Sequence, residues 1–145
     1  MPHIDDIIAT LDQIISVDDH ASLAQLEQAL DDLFQTTHPE RGMDALFRIY
    51  ERFPESDGYG IFWTILHGLE HLPNYEHRLI ESVQRQPMEF NLSMVNRLLN
   101  AGVWHVGSVE LITLLARVAS DPQYSEAART AARDLVDRQR RSEEP

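Results

Sequence analysis

Two histidines four residues apart with a glutamate between them stand at His67-Gly68-Leu69-Glu70-His71. The pattern H-x-x-E-H matches the inverted zinc-protease motif. On a helix, residues i and i+4 share a face, so two imidazoles can hold one metal while a glutamate acts as base. Zinc hydrolysis also needs a third protein ligand and an open coordination position. In the inverted family that ligand lies further downstream than this chain extends. Gly68 inside the motif weakens a helix by roughly 0.5–1 kcal/mol relative to alanine. The plainer expectation places His67 in the core, buried or half-buried and hydrogen-bonded, with Glu70 and His71 near a helix end. No cofactor or metal is expected.

No other segment assembles chemistry. Asp57-Gly58-Tyr59-Gly60 lacks the lysine and hydroxyl of a phosphate loop. It reads as a turn, with φ > 0 at Gly58 and with Asp57 capping the central helix. Asp18-Asp19 and Asp31-Asp32 are adjacent pairs whose helical neighbours point to different sides. No nucleophile–base pair appears, and the chain has no cysteine for a disulfide or a thiolate site. These residues point away from an enzyme.

The element that must carry the motif is apolar on most of its circumference: Ile61, Phe62, Trp63, Ile65, Leu66, Leu69 and Leu72. Such a helix is buried, and it is too short to span a bilayer. It is expected to form the spine of the core, with Tyr59 and Trp63 inside ahead of a role as partner anchors. Around it the i, i+3, i+4 periodicity predicts helices over about 3–16, 20–35, 40–53, 74–86, 88–101, 108–119 and 123–140. Residues 103–107 read as a short connector and 141–145 as a disordered polar tail. No stretch alternates with period two, so the fold class is all-α, about eight helices in a single domain over 1–140. Pro54, Pro87 and Pro122 lie 33 and 35 residues apart, the length of one helix-turn-helix repeat. Stacked antiparallel helical hairpins, HEAT-like, are therefore favoured over a closed bundle.

Charge narrows the function. The 145-residue chain carries a net charge of -12. Residues 1–60 hold 13 Asp/Glu against three arginines, and residues 61–145 hold 11 against nine. This field repels nucleic acid and anionic membrane and draws a basic protein into encounter. No apolar run follows a basic leader, and a cytoplasmic location is expected. Helix six interleaves Asn91, Asn96, Arg97 and Asn100 with its apolar residues, either as structural hydrogen-bonders or as a recognition ridge.

Asp57-Gly58-x-Gly60, Phe62-Trp63, Leu66-His67, Pro87, Glu89, Met94 and Asn96-Arg97-Leu98-Leu99-Asn100 together resemble the all-α immunity proteins of bacterial polymorphic-toxin and contact-dependent growth inhibition systems, and among them the immunity protein 30 group. The likeness covers about residues 40–120. It implies a small cytoplasmic antidote, monomeric in a 1:1 complex, that blocks the toxic C-terminal domain of a cognate effector. Many such toxins are basic nucleases. The resemblance supplies no binding residues. The charge pattern suggests the acidic face of helices one to three and the loop after them: Asp12, Asp18, Asp19, Asp31, Asp32, Asp44, Glu51, Glu55 and Asp57, with Tyr59 as anchor. The competing readings are a metal hydrolase built on His67, Glu70 and His71, or a general helical adaptor.

Overall fold

The structure is a computed structural model that describes residues 2–142. The helices are α1 (Ile4–Asp12), α2 (His20–Phe34), α3 (Met43–Arg52), α4 (Ile61–Glu70), α5 (Tyr75–Arg85), α6 (Glu89–Asn100), α7 (Leu111–Ser120) and α8 (Glu126–Ser142). Short 3₁₀ turns, Pro39–Gly42 and Gly58–Gly60, lead into α3 and α4. None of the described helices is long and apolar enough to cross a membrane.

The helices pair as antiparallel hairpins, α1/α2, α3/α4, α5/α6 and α7/α8. Alternate helices then pack on one another. One row runs α1, α3, α5 and the other α2, α4, α6, α8. This is a helical-hairpin stack, in which each hairpin buries its apolar faces against its neighbours. Pro54, Pro87 and Pro122 fall in the connections inside the second, third and fourth hairpins. Each cannot continue the helix before it, so the proline spacing marks equivalent corners of the stack.

Local chemistry sets the ends. The Asp19 carboxylate accepts from the Ser22 amide (2.8 Å) and caps α2. That amide bond, first among several, holds the Asp19 carboxyl below its ordinary range. Gly102 closes α6 in the left-handed region (φ 87°), with the Gly102 amide donating to the Leu99 carbonyl and the Val103 amide to the Leu98 carbonyl. That is the Schellman arrangement.

One contiguous core joins the stack. At its centre the Tyr50 ring lies 5.6 Å from Phe90 and 5.1 Å from Phe62, centroid to centroid. Its hydroxyl donates to the Phe62 carbonyl at 2.7 Å. Burial pushes the Tyr50 phenol far above its ordinary pKa, so it stays a donor at any ordinary pH.

Several expectations need correction. Helix α1 stops at Asp12, with Gln13 as its C-cap. Extrapolating its period puts Ile15 inside, but beyond the cap the chain turns Ile14 and Val17 inward and leaves Ile15 87% exposed. The connector after α6 contains a two-residue antiparallel hairpin, His105–Val106 with Val109–Glu110, turning at Gly107 (φ 59°). A Gly-X loop suits that turn, but strands of two residues are too short to show alternation. The hairpin delays α7 to Leu111. Helix α8 runs through Arg141 and Ser142, so the first two residues expected in the tail are helical. Residues 143–145 lie outside the described residues.

Gly68 shows why the central helix tolerates a glycine. A Cβ there would run into the tip of the Phe34 ring. The glycine lets the end of α2 close onto α4. Alanine normally stabilises a helix interior by about 1 kcal/mol over glycine. Here Gly68→Ala is expected to destabilise by roughly 1–3 kcal/mol, the cost of overpacking. In a Phe34→Ala background the same change should become stabilising. Urea denaturation of the four proteins measures the sign reversal.

Candidate functional site

The H-x-x-E-H residues are placed by α4 and its end. Glu70 is held by Arg97 of α6 through two hydrogen bonds, 2.7 Å from Nε and 2.9 Å from Nη2. The carboxylate keeps the Arg97 guanidinium more firmly protonated than usual. A glutamate bound in this bidentate way is a tie between α4 and α6. His71 turns its Nδ1 back to the His67 carbonyl of its own helix at 2.7 Å. His67 is exposed, contrary to the expectation of a core histidine, with its ring 6.3 Å from Trp63. Among the described residues no three His, Asp or Glu side chains come together as a metal site.

Trp63 and Tyr59 are corrected likewise. Trp63 is 46% exposed and Tyr59 74% exposed. Phe62, Ile65, Leu66 and Leu69 fill the inward face of α4, leaving Trp63 at its boundary with one edge contact to Phe90 at 5.2 Å. The helix is thus buried on one side only, although seven apolar residues fall between 61 and 72. Tyr59 lies in the 3₁₀ turn at φ 51°, where the Asp57 carboxylate accepts its amide hydrogen bond at 2.9 Å.

The acidic candidates separate into three groups. Along the row α1–α3–α5, acids meet arginines one helix over. Asp12 takes both Arg48 nitrogens at 2.9 Å. Glu51 takes Arg85 at 2.8 and 3.0 Å and also the Ser82 hydroxyl. Asp44 lies 3.6 Å from Arg78. Arg52 spans α1, donating to the Leu11 and Ile14 carbonyls at 3.0 Å each, where a cation suits the helix end. Asp12, Asp44 and Glu51 therefore stitch the row together. Asp31 and Asp32 lie on α2, and Asp32 accepts from Gln28.

Asp18, Asp19, Glu55, Asp57 and Tyr59 sit in connections inside the hairpins or at their ends, along one edge of the stack. Two adjoining hollows run along this edge. One, of about 800 Å³, is lined by Asp18, Arg52, Glu55, Asp57, Tyr59 and Glu89 among others. The second, of about 600 Å³, shares Pro54, Glu55 and Glu89 with it and continues to Ala131, Asp134, Leu135 and Arg138 of α8. Asp18, Glu55, Asp57, Glu89 and Asp134 form no ion pair among the described residues. Sequence reasoning missed Glu89 and Asp134. Only the proline register, which aligns Pro54 with Pro87, hinted that Glu55 and Glu89 share an edge.

The polar set on α6 is structural. Asn91 is fully buried. Its Oδ1 accepts from the Met88 amide at 2.8 Å, and its Nδ2 donates to Ser82 Oγ and to the Gln86 carbonyl. Asn96 and Asn100 both accept from Gln139 Nε2 of α8, at 2.7 and 2.9 Å. With Arg97 on Glu70, the set is spent on neighbouring helices and loops.

Comparisons with family models, with curated proteins and with solved structures found no match to this chain.

Asn91 joins α5, α6 and their connection through one side chain. Asn91→Ala is expected to cost about 2–3 kcal/mol, from a lost cap and unmet buried partners. Asp31→Asn on exposed α2 should stay within about 0.5 kcal/mol. Thermal or urea denaturation of the two variants tests the contrast.

Proposed function

We propose that this protein is an immunity-type antidote that binds a basic toxin domain and neutralises it, acting in the cytoplasm as a 1:1 complex. The observation that carries the reading is the run of unpaired carboxylates along the hairpin-loop edge, on a chain of net charge -12. Along the row α1–α3–α5, Asp12, Asp44 and Glu51 have arginine partners, whereas the carboxylates of this edge have none among the described residues and keep their charge for a partner. Such a field raises the rate of encounter with a cationic protein, while a buried aromatic anchor supplies affinity. Tyr59, exposed beside these acids, is the candidate anchor. The resemblance of residues 40–120 to immunity proteins supports the same reading. The hydrolase alternative requires Glu70 as a free base, whereas Arg97 holds both of its oxygens.

A toxin domain encoded immediately upstream is the partner to test. Co-expressed, the two should elute together at low salt, with the toxin's activity suppressed. Affinity should fall as salt rises, because exposed charges are screened. A neighbouring toxin domain that neither co-elutes nor loses activity removes the antidote reading.

A further inference from the structure

The two hollows on the hairpin-loop edge differ in character from a plain acidic surface. Buried and half-buried apolar residues lie among the exposed carboxylates: Pro54 is shared by the two hollows, and Pro87 with Leu135 and Ala131 of α8 gives the far end an apolar floor. Side chains with an aliphatic stem and a cationic head fit this combination, because the stem can lie on the apolar floor while the head reaches the rim. The rim carries Asp18, Glu55, Asp57, Glu89 and Asp134, none of which is neutralised by an arginine among the described residues. Of the two arginines that line the hollows, Arg52 is already committed to the Leu11 and Ile14 carbonyls and leans toward Asp12. Arg138 stands at the α8 end, near Asp134.

We infer that these hollows form one continuous groove that takes a basic amphipathic segment of a partner protein, its arginines or lysines on the acidic rim and its aliphatic parts on the floor. The inference rests on the partner-binding reading and gives that partner its chemistry and its place. It moves the contact away from the α1–α3 face, where Asp12, Asp44 and Glu51 are engaged by arginines of this chain. The partner segment crosses the corners of successive hairpins, from the α1–α2 connection past Glu55 and Glu89 to α8.

A dye-labelled, acetylated peptide of alternating leucine and arginine, six residues long, serves as the probe, read by fluorescence anisotropy. Saturable, salt-sensitive binding is expected. The Glu55→Gln/Glu89→Gln double variant should weaken it about tenfold, as loss of two complementary charges does. The Glu27→Gln/Asp31→Asn variant removes the same charge from exposed α2 and should change it less than about twofold if the site and not the overall field is read. Amide shifts on adding the peptide should fall on residues 54–57, 87–89 and 127–138. Equal weakening by both double variants, or shifts centred on α1 to α3, overturns the groove. Melting temperatures of the variants identify any loss that comes from unfolding. The cognate toxin domain then separates the two proposals. Full neutralisation by Glu55→Gln/Glu89→Gln keeps the antidote and sinks the groove. Peptide capture in the groove with no toxin neutralised by the wild-type protein does the reverse.

Discussion

Tyr50 holds the stack together. Its ring is the meeting point of Phe47 on its own helix, Phe62 on α4 and Phe90 on α6. Aromatic pairs of this kind add about 0.5–1.5 kcal/mol each beyond the area they bury. The hydroxyl donates to the Phe62 carbonyl, so the one polar atom this side chain carries into the core is satisfied. Hairpin α3/α4 is thereby fixed to hairpin α5/α6, and the loops at their corners are fixed too. Gly68 extends the same packing toward α2 by giving up its side chain to Phe34. The register of the hairpin corners, and so the groove across them, depends on these contacts.

Charge is divided by the same geometry. In the row α1–α3–α5 the outer side chains of neighbouring helices face one another, and acids and arginines pair across the seams. Exposed pairs of this type contribute little each, at most about 1 kcal/mol. Glu51 is the more enclosed case, with its side chain 13% exposed and its oxygens shared by Arg85 and Ser82. Their larger effect is to cancel the field over that face. Along the hairpin-loop edge Asp18, Glu55, Asp57, Glu89 and Asp134 have no arginine partner among the described residues, although Arg52 and Arg138 line the same hollows. That edge keeps its negative charge, as does exposed α2 with Glu27 and Asp31. On the proposed reading, a partner is selected by position on the stack as well as by net charge.

Helix number, fold class and the hairpin register were legible in the sequence, because long amphipathic periods and prolines at fixed spacing report on local structure. Features that depend on distant residues were not. Asp12 and Arg48 are 36 residues apart and Glu70 and Arg97 are 27 apart, so an acidic face read along the chain conceals its own neutralisation. Trp63 looks internal by composition and is half out, because Phe62 and Leu66 already fill the inward face of α4. Ile15 follows the period of a helix that has already ended. The catalytic-looking His67, Glu70 and His71 are adjacent in sequence, but Arg97, arriving from α6, decides what Glu70 does. Glu89 and Asp134 join Glu55 only once α6 and α8 are stacked, which no local pattern announces.

The central claim is that a basic protein docks on the unpaired acids of the hairpin-loop edge. Hydrogen exchange, compared between the free protein and its complex with the toxin domain encoded beside it, tests this most directly. Slowed exchange is expected in residues 54–60, 86–91 and 126–138, with α1 and the outer side of α3 unchanged. Protection centred on α1 to α3, with these segments unaltered, would contradict it.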